Sequence, residues 1–149
     1  MLKTFAVITF LTASTYVSAK NAPAQCATLD QQQAKILFDR WNNALQTGDS
    51  GKVAANYTPD AVLLPTLSNQ PRTDLAGKVD YFNHFLKNKP VGTLDSSTVI
   101  TSCNNAIDTG LYTFRFSDNS EVQARYTFTY ALVNNQWLIT SHHSSAMPE

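Results

Sequence analysis

The chain has 149 residues, with 11 Lys and Arg against 11 Asp and Glu, so its formal net charge is zero. That length fits one domain able to bury about two-thirds of its unfolded surface. Without clustered Lys and Arg it lacks the electrostatic footprint of a nucleic-acid binder or of a protein drawn to anionic membranes, and 5 Gly and 6 Pro exclude a collagen-like or low-complexity chain.

Met1-Leu2-Lys3 is a short positive start, Phe5 to Val17 is apolar or small, and Val17-Ser18-Ala19 offers small residues at a cleavage site. An apolar run this short falls below the roughly 20 residues a spanning helix needs, so residues 1–19 read as a secretory signal peptide. Cleavage after Ala24 is an alternative; a lipid anchor on Cys26 is disfavoured because Pro23-Ala24-Gln25 lacks the expected preceding Leu and small residue. The expected product is secreted or periplasmic, with no stable membrane insertion after cleavage. It consists of an N-terminal extension, residues 20–27, and a domain over residues 28–149. In an oxidising compartment Cys26 and Cys103 form the natural pair, and closing their loop would contribute roughly 4 kcal/mol. Two unpaired thiols are the alternative.

From Leu29 to Gln46, Leu29, Ile36, Leu37, Trp41, Ala44 and Leu45 recur at helical spacing, and Gly48 ends the run. Asp49 or Ser50 then caps a short helix, SGKVAANY. Thr58-Pro59-Asp60 reads as a turn and AVLLPT as a strand that Pro65 confines to an edge or bulge. Thr73 is placed to cap a third helix, whose apolar face is Leu75, Val79, Phe82, Phe85 and Leu86. After Pro90 the period changes to two, giving four strands with hairpin turns at Ser117–Ser120 and Asn134-Asn135. The fold class is α+β: three N-terminal helices packed on a strongly curved antiparallel sheet, a cone with a pocket inside.

No GxSxG, HExxH, CxxC, Gly-rich phosphate loop or EF-hand spacing occurs, and no cofactor is expected. Adjacent His142 and His143 invite a metal reading. On a strand, however, neighbouring side chains point to opposite faces, so no metal site is assigned. Arg125 shares a strand face with Thr127 and Thr129. It is either a solvated edge charge or, if buried, an anion-gripping guanidinium. Tyr112 could add a phenolic donor. Asp74 suits the positive end of the third helix, Arg72 can pair with it, and His84 reads as a packed surface residue.

Three stretches, LQTGDSGKVAANYTPDAVLLPT, VDYFNHFLKNKP and QWLITSHHSSAMPE, with Asn69-Gln70-Pro71-Arg72-Thr73-Asp74 between the first two, resemble the association domain of calcium/calmodulin-dependent protein kinase II and its stand-alone bacterial relatives. These belong to the nuclear transport factor 2-like superfamily of cone-shaped folds. The resemblance covers about Thr28 to Glu149. It implies rings of subunits and a deep basic pocket, but neither kinase activity nor calmodulin binding. Trp137, Ile139, His143 and Ser145 match the family's ending. Its pocket arginines fall on Ser144 and Tyr112, and Arg125 lies two residues from a third. On this registration Tyr112, Arg125, Thr127, Thr140, His142 and Ser144 line the pocket, while Trp137, Ile139 and His143 face a partner subunit.

The leading expectation is therefore an exported, self-associating domain, a homodimer or larger, that binds a small polar or acidic ligand without catalysis. The alternative is a cone-fold isomerase, cyclase or hydrolase using His142 as base, Tyr112 as donor and Arg125 as oxyanion stabiliser. A third is an exported inhibitor or immunity factor that binds another protein.

Overall fold

A computed structural model of the chain describes residues 26–66 and 68–148; the assigned signal peptide, its cleavage site and most of the N-terminal extension lie outside them. Helix α1 spans Gln31–Gln46, α2 Ser50–Ala54 and α3 Leu75–Phe85, followed by a single 3-10 turn, Leu86–Asn88. The strands are β1 Tyr57–Leu64, β2 Val91–Ser102, β3 Asn105–Arg115, β4 Glu121–Val133 and β5 Gln136–Ala146, in the sheet order β1-β5-β4-β3-β2.

Local chemistry explains most boundaries. Asp30 caps α1 and forms a reciprocal capping box with Gln33. Asp49 caps α2 through the amides of Gly51 and Lys52. The third helix is capped by Asp74, whose carboxylate accepts from the Gly77 amide at 2.7 Å, and not by Thr73. Asn134 and Asn135 both adopt positive φ, 49° and 62°, forming the two-residue loop that matches strand twist between β4 and β5.

Three features depart from simple alternation. The β1 edge pairs parallel to β5, so the sheet is mixed: antiparallel across β2 to β5, with one parallel edge. The turn expected at Thr58–Asp60 is instead an irregular stretch inside β1, since Tyr57 pairs with Ile139 and Val62 with Ser141. This accommodates Pro59, which has no amide hydrogen to donate. A bulge in β2 at Asp95 presses the Ser96 carbonyl so close to Gly110 that a Cβ there would overlap it.

The sheet curls over α1. Trp41, 1% exposed, sits at the centre, with its ring edge-on to Phe114, Phe128 and His142. A Cys26–Cys103 disulfide joins the N-terminal segment to the β2–β3 turn. Beside it, the Asn104 side chain accepts from the Ala27 amide and the Asn104 amide donates to the Ala27 carbonyl.

Candidate ligand site in the cone

A cavity of about 250 Å³ opens between the sheet and α3. Along β3 and just past its end, Tyr112, Phe114 and Phe116 occur at every second position and present one aromatic wall. Tyr81, Phe82 and Phe85 of α3 form the other, with Trp41 between. Phe85 meets Phe114 and Phe116 edge-to-face, at centroid separations of 5.4 and 6.2 Å. His142, Ser144 and Thr66 supply polar groups beside Tyr112, whereas Asn88, Asp118, Ser120 and Val122 line the opening near the β3–β4 loop.

The polar groups are ordered. Trp41 Nε1 donates to the Tyr57 hydroxyl at 2.9 Å, and that hydroxyl lies 2.9 Å from His142 Nδ1. Indole is only a donor, so the Tyr57 oxygen accepts from it. Were His142 Nδ1 also a donor, the buried Tyr57 hydrogen would be stranded; satisfying it makes Nδ1 the acceptor. His142 is then the Nε2–H tautomer, and Nε2 faces the Tyr112 oxygen at 3.4 Å. The chain of donors runs Trp41, Tyr57, His142, Tyr112, and leaves the Tyr112 hydrogen for Ser144 or an occupant. Ser144 in turn shares a 2.6 Å hydrogen bond with Thr66.

Burial sets the charge of this chain. Desolvation, helped by the nearby His143, lowers the His142 pKa to about 3, so the imidazole is neutral at pH 7. Desolvation likewise pushes the Tyr57 and Tyr112 hydroxyls well above the ordinary tyrosine value, so both remain protonated donors.

Of the residues expected in the pocket, Tyr112, His142 and Ser144 line it. Arg125, Thr127 and Thr140 do not. On β4 the inward face belongs to Tyr126, Phe128 and Tyr130, all buried, so Arg125 stands on the outer face with its guanidinium 3.3 Å from the Ala146 carbonyl. Thr127 bonds Thr109 there. Thr140 occupies a bulge: Thr129 pairs with Ser141 but Tyr130 with Ile139, so Thr140 is the extra residue and its hydroxyl meets Thr129. The same bulge turns Ile139 inward, where it is 1% exposed and belongs to the core, and this corrects its assignment to a subunit interface. Trp137 is half-buried against the core and His143 is exposed. His142, Tyr112 and Arg125 are therefore not assembled as a catalytic trio. Away from the cavity mouth, Arg72 Nη1 lies 3.6 Å from Asp80, and His84 Nδ1 donates to the Asp80 carbonyl.

Sequence reasoning missed Tyr57, the aromatic walls and Asp118. The walls had a readable signal, since LYTFRF repeats an aromatic at every second residue. It also missed Asp108, fully buried in the sheet, which accepts from Ser97 at 2.6 Å and Tyr126 at 3.0 Å. Burial raises its pKa, and these two hydrogen bonds oppose the shift.

Comparisons place this geometry in a known family. The family model for the calcium/calmodulin dependent protein kinase II association domain matches residues 30–148. A structure from Xanthomonas campestris assigned to the same domain is 43% identical, covering 92% of this chain and 99% of that one, with a TM-score of 0.77. An NTF2-like protein of unknown function from Pseudomonas putida KT2440 is 19% identical over 80% of this chain and 87% of that one, at a TM-score of 0.70. A Streptomyces avermitilis protein assigned as an NTF2-family dehydratase is 14% identical over 79% and 96%, at 0.66; these last two speak to the fold alone. No curated protein matches the chain. With a match across nearly the whole described domain, the chain belongs to the calcium/calmodulin-dependent protein kinase II association domain family, on an NTF2-like fold.

Proposed function

We propose that this chain is an exported, self-associating domain that holds a small ligand in its cone and does no chemistry on it. The observation that carries this reading is the cavity itself. Its walls are aromatic, and its one imidazole faces a phenol on each side and remains unprotonated far below neutral pH. A base held at a pKa of about 3 has little driving force to take a proton at pH 7. Such a group orients donors; it does not shuttle protons.

Family membership supports self-association, and the outer sheet face is suited to it. Thr109, Leu111, Thr127, Thr129 and Ser141 are all half-buried there, with few charges to desolvate. The disulfide supports export to an oxidising compartment, and among the described residues no helix is long and apolar enough to cross a membrane. The expectation of an acidic ligand loses its footing, because Arg125 lies outside and no Lys or Arg among the described residues lines the cavity.

Native mass spectrometry of the purified mature protein tests the reading. A dimer or larger species carrying a bound small molecule is the expected result. A strict monomer at micromolar concentration would count against self-association.

A further inference from the structure

Asp118 is the only cavity-lining residue among those described that carries a formal charge at neutral pH. It sits in the five-residue loop between β3 and β4, exposed at the mouth. The Ser120 hydroxyl donates to its Oδ1 at 2.6 Å and the Ser120 amide at 2.9 Å. Both bonds stabilise the carboxylate and hold its pKa below the ordinary aspartate value. Because both fall on Oδ1, Oδ2 has no partner among the described residues. At about 3.3 Å per residue, Tyr112, Phe114 and Phe116 form an aromatic ladder roughly 13 Å long, leading from the His142 cluster towards that carboxylate.

Each part disfavours an anion. Where these rings present their faces, the negative pole of the quadrupole attracts cations and repels carboxylates. His142 is neutral and offers no countercharge. The volume is also restrictive: a 150 Å³ apolar cavity suffices for benzene, so about 250 Å³ accommodates one ring with a short substituent.

Resting on the ligand-binding reading above, we propose that the cavity takes a compact, ring-bearing organic cation. Its ring lies in the cavity against the aromatic lining, beside the mutually packed Phe85, Phe114 and Phe116, and its ammonium group turns to Asp118 at the mouth. The Tyr112 hydroxyl is left to donate to an oxygen on the ring's far side.

Three probes of matched shape test this by isothermal titration calorimetry on the intact mature protein: tyramine, 4-ethylphenol and 3-(4-hydroxyphenyl)propionate. They share a phenol and differ in charge at the other end. Tyramine should bind tightest, about tenfold over the propionate at low salt. That preference should shrink as the Debye length falls from about 30 Å at 0.01 M salt to about 3 Å at 1 M. Asp118→Asn, at an exposed loop position, should bring tyramine and 4-ethylphenol to parity while leaving 4-ethylphenol unchanged. Equal or tighter binding of the propionate overturns the cation assignment, and a tyramine preference that survives Asp118→Asn overturns the placement of the ammonium group at Asp118; both outcomes spare the binding site. If none of the three binds at millimolar concentration, both the cation assignment and the ligand-binding reading fall.

Discussion

The hydroxyl of Tyr57 and Nδ1 of His142 lie 2.9 Å apart across the parallel junction of β1 and β5, although 85 residues separate them in sequence. This contact joins the Trp41 indole in the core to the polar end of the cavity.

Tyr57→Phe strands two buried groups at once, the Trp41 indole N–H and His142 Nδ1. Each unsatisfied partner costs about 1–3 kcal/mol, so urea denaturation should register a loss of at least about 2 kcal/mol. A change below about 0.5 kcal/mol would mean that the hydroxyl is not shared in this way.

Acid should destabilise the fold through His142. Its folded pKa, about 3, lies below the ordinary value of 6.5. Between those values the unfolded chain binds a proton that the native state refuses. The contribution is complete above about pH 6.5 and declines as pH falls towards 3, at up to about 1.4 kcal/mol per pH unit. Stability measured from pH 7 to pH 4 should fall more steeply for wild type than for His142→Asn. Taking the difference cancels the opposing contribution of Asp108, whose pKa is raised by burial. Parallel curves would refute the assignment.

Helix α3 distinguishes two adjacent caps. Asp74→Ala should cost about 1 kcal/mol and Thr73→Ala almost nothing, because only the Asp74 carboxylate reaches the Gly77 amide. Thermal unfolding of the two variants side by side is sufficient. A larger effect at Thr73 would reverse the assignment.

Gly110→Ala places a methyl group against the Ser96 carbonyl in the β2 bulge, and backbone there cannot yield as a flexible side chain would. Overpacking of this kind costs about 1–3 kcal/mol. Reduction of Cys26–Cys103, which closes a separation of 77 residues, should cost up to roughly 4 kcal/mol and be visible as a lower Tm with reductant.

Much of this molecule was legible because local and global signals agree. Trp41 lies on the apolar stripe of α1 and became the core's centre, and Asn134-Asn135 specified its hairpin through two left-handed residues. Tyr112, His142 and Ser144 lie on the cavity side. Arg125 was misplaced because alternation along β4 defines two faces without saying which is inward. The burial of Tyr126, Phe128 and Tyr130 decides that, and three aromatics outweigh one arginine in the competition for the core. Ile139 was misplaced for another reason: strict period two cannot anticipate an extra residue at Thr140. Tyr57 was missed because its partner arrives from the last strand, through a parallel pairing that leaves no short-range trace.

The bulge in β5 bears on how securely the cavity keeps its chemistry. Were the bulge lost with Thr140 drawn into the ladder, the strand's end would slide by a single position and exchange inner for outer side chains. The text Ser141-His142-His143-Ser144-Ser145 is doubled, however, so His143 and Ser145 would take the vacated places. An imidazole and a hydroxyl two residues beyond it would again face inward, and the duplicated pair acts as a spare set against strand slippage.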